Sequence, residues 1–515
     1  MATDNKYDRQ LRLWGPHGQR ALNEAHILVI NASALGAETL KNLVLPGIGH
    51  FVLADDQVVK HSDLGQNFFI TEADIGTSRA QAVSKWLLEL NPDASGEAES
   101  VSIEGLLAKE ADYFRTFDLV LATQINESQA RRLAALLHEK TKLIVVRSLG
   151  FIGYMRIYSK EHLVVESKPA DKEIKDLRLN TPFPTLVEYA NSVNVEALDD
   201  MLHGHVPFIV LLLKTLDEWK ASHDGVLPKT FAEKDEFKRL IKKGSRSAIE
   251  DNYAEAVANA YLCFSNEIVP YEIQQVLDDP QTQAADSSSS LFWQAAKAVS
   301  DFAKVHGIVP VTGSFPDMTA DTNSYLTLQR IYNEKAKADL EWVKQKLSEI
   351  KGSSLTSEEE EYITTFVKSL LTLEVTRYRT LSEENEAPNV DEIQSNIDDE
   401  DQQLEWYFGL RAYDKFVEES GRLPGTVEAS VAEDASKIEE IGSSLLAAVG
   451  VSRRLKSGVA AELARYHDCE LHVTSAYLGG VAAQEAVKLL TKQYTPFNNT
   501  FIWDGIVSHG ATIEL

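Results

Sequence analysis

Short, nearly unbroken apolar runs alternate with longer segments of helical spacing over residues 1–160. The runs 26–30 (HILVI), 51–54 (FVLA), 117–122 (FDLVLA) and 142–146 (KLIVV) have little or no polar face. Parallel strands covered by helices on both sides have this pattern. Between the first two runs, residues 35–45 (LGAETLKNLVL) predict a helix that stops at the turn Pro46-Gly47-Ile48-Gly49, giving a βαβ crossover. Such a sheet presents ligands at the carboxyl ends of its strands, so the residues following Ile30, Ala54 and Ala122 carry the functional information.

From 161 to 464 the texture changes to long helical stretches, among them 292–305, 325–350 and 404–419, which predict a large helical insertion. The polar segments 281–290 (QTQAADSSSS) and 383–401 read as solvated connections. After that the α/β character returns, with a predicted helix over 475–491 and an apolar run at 499–504 (NTFIWD). The expected organisation is an α/β domain begun by 1–160 and completed by 465–515, interrupted by a mostly helical insertion over 161–464.

A chain of 515 residues exceeds what one core usually organises, and 44% hydrophobic residues exclude a disordered protein. The excess of 78 Asp and Glu over 51 Lys and Arg repels phosphate backbones and anionic lipid, so no nucleic-acid or membrane partner is expected. Two cysteines, no basic-then-apolar leader and no run long enough to span a bilayer predict a reducing interior: cytoplasm, nucleus or both.

A phosphate-cradling loop after the first strand needs glycine, because bare backbone lets N–H groups approach the phosphates. Here the loop is Asn31-Ala32-Ser33-Ala34-Leu35-Gly36, and close helix-strand packing alone explains Gly36. No nucleophile stands out. Cys263, in AYLCF, reads as a buried small hydrophobe. Cys469, in HDCELH, lacks the second ligand pair of a structural zinc site and reads as part of a half-buried turn, so no metal is expected.

The opening segment 6–15 (KYDRQLRLWG) resembles the start of the ubiquitin-activating and molybdopterin-synthase-adenylating superfamily. Residues 43–49 (LVLPGIG), 65–69 (GQNFF), 153–157 (GYMRI), 316–321 (PDMTAD), 479–485 (GGVAAQE) and 496–500 (PFNNT) extend the likeness along the whole chain. Together they resemble the regulatory branch of the neddylation-activating enzymes. The fold so implied is a Rossmann-like, adenylation-type parallel sheet interrupted by a helical insertion.

Active members of that superfamily use a glycine-rich loop, two acids after the second strand, an arginine, a lysine and a magnesium-binding aspartate. Position by position, Asp55 keeps the first acid, the second falls on Gln57, the arginine on Gln66, the lysine on Arg79 and the aspartate on Gln124. A neutral amide cannot replace a carboxylate that binds a divalent cation, and the side chains of Asn31, Ala32 and Ser33 obstruct phosphates. The resemblance therefore implies no catalytic residue and no cofactor in this chain, with ATP, magnesium and the catalytic cysteine in a partner.

It also implies that Arg9 crosses a pseudo-symmetric interface to the partner's ATP, where a guanidinium supplies charge in trans. The implied partners are the catalytic subunit, a Nedd/Rub ubiquitin-like modifier destined for cullins, and its conjugating enzyme. Pro316, Asp317, Met318, Asp321, Tyr325 and Tyr332 are expected at the subunit contact, with an internal turn as the alternative. Other readings are the regulatory half of a SUMO-activating enzyme and a scaffold without catalytic contribution. An enzyme acting alone is disfavoured by the loop after Ile30.

Overall fold

The predicted strands form the middle of an eight-stranded sheet in the computed structural model, which describes residues 6–166, 176–247, 249–265, 269–399, 403–427 and 430–515. The strands are β1 (His26–Ile30), β2 (His50–Ala54), β3 (Ser95–Glu99), β4 (Leu119–Thr123), β5 (Lys142–Leu149), β6 (Ile152–Tyr158), β7 (Thr500–Asp504) and β8 (His509–Ile513). Their order is β8-β7-β6-β5-β4-β1-β2-β3. The pairs from β3 to β5 are parallel, and β6, β7 and β8 continue the sheet antiparallel. The expected return of the chain to its first sheet is thus β7, whose Asp504 pairs with Ile152 of β6.

Alternation along β1 explains why its run is wholly apolar. Ile27 and Val29 enter one buried layer, while Leu28 and Ile30 enter the layer on the opposite face. The first layer is roofed by α2 (Ala34–Val44) and the long helix α8 (His472–Thr491), which cross closely: a Cβ on Gly479 would lie 2.9 Å from the backbone nitrogen of Thr39. The GGVAAQE segment is therefore a stripe of small residues that lets two helices approach.

Two compact units divide the chain, one comprising 1–164 with 375–515 and the other 165–374. This corrects the expected insertion of 161–464, because the second unit ends at Glu374 rather than near 464. Helices α5 (Leu404–Ser420), α6 (Val431–Ala448) and α7 (Ser457–Tyr466) belong to the first unit. Tyr407, Phe408, Ile438 and Leu463 share a buried cluster with Ile152, Tyr154, Ile502 and Ile513 of the sheet. Helical periodicity identifies such segments but not the core they join.

The segment 383–401 is not a plain solvated connection either. It contains the helices Glu383–Glu386 and Val390–Ile397, with Ile393 and Ile397 buried. Glu384 is also buried and pairs with Arg156 and Arg411. Likewise, 281–290 begins inside the short helix Pro280–Ala284.

The second unit is helical throughout its described core, with Trp219, Phe237, Cys263 and Tyr332 packed together. Pro316 is buried there. Asp321 caps the helix Thr322–Lys351 by accepting from the N–H groups of Asn323 and Ser324, each at 3.0 Å. The Tyr332 hydroxyl donates to the Leu177 carbonyl at 2.6 Å, and the Tyr325 ring lies 5.4 Å from that of Phe315. Met318 packs partly buried against the same cluster. The fully buried Tyr332 and the buried Pro316 are corrected from expected contact residues to core, whereas Met318, Asp321 and Tyr325 stay partly accessible. Asp317 alone of the set is exposed. Among the described residues no helix is long and apolar enough to cross a membrane.

Candidate functional site

Beyond the carboxyl end of β1 the backbone turns through Asn31, whose φ of 71° is tolerated by a short polar side chain. Its Nδ2 donates to the Thr123 carbonyl at 2.6 Å, tying the loop to the end of β4. Ser33 caps α2, accepting weakly from the Gly36 N–H at 3.4 Å. A Cβ on Gly36 would lie 2.0 Å from the Asn31 carbonyl oxygen, so packing of the turn demands glycine here.

At the end of β2, Asp55 is buried and fully engaged. It accepts from the Ala32 and Gln57 N–H groups at 2.7 Å and from Arg79 Nε at 2.7 Å. Arg79, at the family's lysine position, is thus turned back onto the first acid instead of facing a ligand. The Gln57 amide donates to Asp56 at 2.8 Å. Gln66 is half-buried, and beside it Asn67 Nδ2 donates to the Ala32 carbonyl at 3.1 Å.

Gln124 follows β4 with a φ of 54°. Its Oε1 accepts from Arg147 Nη1 at 2.9 Å and from the Ser148 N–H at 3.0 Å, and its Nε2 donates to the Ser148 carbonyl at 3.1 Å. Arg147 in turn pairs with Asp414, Nη2 to Oδ1 at 2.9 Å. Burial pushes the Asp414 carboxyl above its ordinary range, with Arg147 opposing. A guanidinium and an amide therefore occupy the region where a metal-binding carboxylate would be needed.

Glu470 was not singled out from the sequence. Its Oε1 lies 2.6 Å from the Leu35 N–H and 2.9 Å from Ser33 Oγ, both donating, at the amino terminus of α2. Burial raises its carboxyl above the usual range, while those hydrogen bonds and the charges of Arg79 and Arg147 pull the other way. A residue 435 positions from Leu35 gives no local signal. The histidines flanking it point apart: His467 Nδ1 meets the Pro424 carbonyl at 2.9 Å, and His472 Nε2 meets Glu38 at 3.1 Å.

These residues do not fit a magnesium nucleotide. The helix amino terminus already holds a carboxylate, the acid of β2 holds an arginine, and the position after β4 carries a neutral amide. The dismantled pocket is internally satisfied rather than vacant.

The amino-terminal motif lies on α1 (Asp8–Glu24), which bends at Gly15 and Pro16. Its first turns are fastened at two points. The Tyr7 ring covers Gly47, where a Cβ would meet it at 2.9 Å. Trp14 is buried, donates from Nε1 to Gln19 at 3.1 Å, and accepts at its carbonyl from Gln493 Nε2 at 2.7 Å. Tyr7 and Trp14, seven residues apart, lie on one helix face, so Arg9, Arg12 and Leu13 face outward. Arg12 pairs with Asp8 at 2.8 Å. Arg9 makes no hydrogen bond or ion pair among the described residues and is exposed.

The ThiF family matches residues 7–510. The NEDD8-activating enzyme E1 regulatory subunits of Xenopus laevis and Gallus gallus are each 40% identical over 526 residues, covering 99% of this chain and 98% of theirs. The regulatory subunit AXR1 of Arabidopsis thaliana is 38% identical, covering 99% of this chain and 96% of its own. A dismantled adenylation pocket on a full-length match of this kind has one conclusion: the chain belongs to the ThiF family, in the group of NEDD8-activating enzyme E1 regulatory subunits.

Proposed function

We propose that this chain is the non-catalytic half of a heterodimer that activates a NEDD8/Rub-type modifier, and that it lends Arg9 to the ATP held by the catalytic partner. The observation that carries the proposal is Arg9 itself: an exposed guanidinium, unpaired among the described residues, on a helix anchored at Tyr7 and Trp14. The partner would bind ATP and magnesium, adenylate the modifier's carboxy-terminal glycine and pass it to its own cysteine. Cullins are the eventual targets, the conjugating enzyme a further partner, and the cytoplasm and nucleus the setting.

Exposed apolar groups support association. Phe68 is 78% exposed with its ring 6.3 Å from that of His472, and Val473 is 64% exposed, apolar surface that a partner would cover. Full-length similarity to NEDD8-activating relatives favours this reading over the SUMO one. ATP-pyrophosphate exchange tests it: the chain alone is expected to be inactive and the reconstituted pair active. Exchange by the purified chain alone would overturn the proposal.

A further inference from the structure

A nucleotide-binding sheet of this class rests a phosphate on the amino terminus of the helix that follows its first strand, where unpaired N–H groups and the helix dipole favour negative charge. In this chain the Leu35 N–H, in the first turn of that helix, donates at 2.6 Å to Glu470. Ser33, the capping residue, donates its hydroxyl to the same oxygen at 2.9 Å. Ser475, in the first turns of α8, lies 3.5 Å from it.

The carboxylate is held by backbone as well as by its own contacts. The Cys469 carbonyl accepts from the Gly150 N–H at 2.8 Å, and Gly150 bridges to Glu470 in a parallel arrangement at the β5–β6 turn. That turn is tight, since Gly150 has φ 59° and a Cβ there would strike the Tyr466 ring at 2.4 Å. The Tyr413 hydroxyl also donates to the His467 carbonyl. The segment 467–470 is thus tied to the β5–β6 turn and to α5, with its acid reaching the first turn of α2.

We infer that Glu470 is a built-in anion, which keeps the phosphate position of this fold filled by the protein's own carboxylate and joins the start of α8 to the start of α2. The inference concerns the closed pocket and not Arg9, so its failure and the failure of the proposed function are separable. A merely structural cap would lose stability on removal without creating an anion site. A phosphate surrogate leaves a site behind.

The test is thermal unfolding of the full chain against inorganic pyrophosphate at constant ionic strength. Wild type is expected to show no shift. Glu470→Ala is expected to melt lower and to regain melting temperature as pyrophosphate rises, in a manner chloride does not reproduce. Glu470→Gln keeps an acceptor and fills the space, so it is expected to be unresponsive. A folded Glu470→Ala chain that ignores pyrophosphate, or a wild type that responds equally, overturns the inference. If Glu470→Ala does not fold, it is refolded with and without pyrophosphate: recovery only with it supports the inference, and recovery in neither case overturns it.

Discussion

Arg79 closes onto Asp55, with Nε and Nη2 each 2.7 Å from the same Oδ2. The Asp55 side chain is fully buried and that of Arg79 only 16% exposed, so this pair is not a solvated surface bridge. Arg79→Ala leaves a buried carboxylate with two backbone donors and no counter-charge. The expected cost is about 3 to 5 kcal/mol of stability, read as a lowered urea midpoint with unchanged slope. A loss below about 1 kcal/mol, the level of exposed pairs, would show that Asp55 is not dependent on Arg79.

Nucleotide binding follows the same geometry. Because Glu470 sits on the helix amino terminus and Gln124 is a neutral amide held by Arg147, calorimetry of the isolated chain with magnesium ATP is expected to give no saturable heat. A dissociation constant in the low micromolar range would contradict the dismantled pocket.

Neither cysteine is poised for catalysis. Burial pushes the Cys263 thiol up to about 12, and burial with Asp468 and Glu470 raises that of Cys469. A thiolate is the reactive form, so replacing both by serine is expected to leave thioester formation by the assembled pair within twofold of wild type. Loss of thioester in a soluble, dimeric double variant would relocate the nucleophile to this chain.

His162 introduces a pH dependence into the first unit. It is 1% exposed, its Nε2 has no hydrogen-bond partner among the described residues, and burial, then Lys142 and Lys492, push it down to about 4 against a backbone hydrogen bond to Tyr494. The unfolded chain, near 6.5, takes up the proton first. The stabilisation is therefore complete above about pH 6.5 and lost as pH falls toward 4, by at most about 3 kcal/mol. Between pH 7 and 5 the His162→Gln chain is expected to lose about 2 kcal/mol less stability than wild type. Equal losses would show that His162 is not responsible.

The sheet's centre was legible because β1, β2, β4 and β5 are covered on both faces and therefore carry the apolar stretches 27–30, 51–54, 119–122 and 143–146. The edge strand β3, Ser95–Glu99, was not, since SGEAE is half-exposed and offers no apolar run. Helices over 404–466 were visible as helices, yet their assignment to the sheet's own core depended on contacts such as Tyr407 with Tyr154, at 5.0 Å between rings. The neutral amides Gln57, Gln66 and Gln124 were legible as residue types. What replaced the lost chemistry was not, because Glu470 meets Leu35, and Asp414 meets Arg147, only through the fold.

The proposed function rests on Arg9 acting in trans. Arg9→Ala is expected to leave folding and association nearly unchanged, since an exposed arginine contributes at most about 1 kcal/mol of surface pairing. If Arg9 donates to charge developing on the partner's ATP, its loss costs about 2.7 to 4 kcal/mol, roughly 100- to 1000-fold, as for a preorganised oxyanion donor. Arg9→Lys is expected to fall between, restoring charge without the planar fork. The measurement is ATP-pyrophosphate exchange by the reconstituted pair at saturating modifier, with association checked by gel filtration. A fall of about 100-fold or more in an intact Arg9→Ala heterodimer is the predicted result, and activity within twofold of wild type would contradict it.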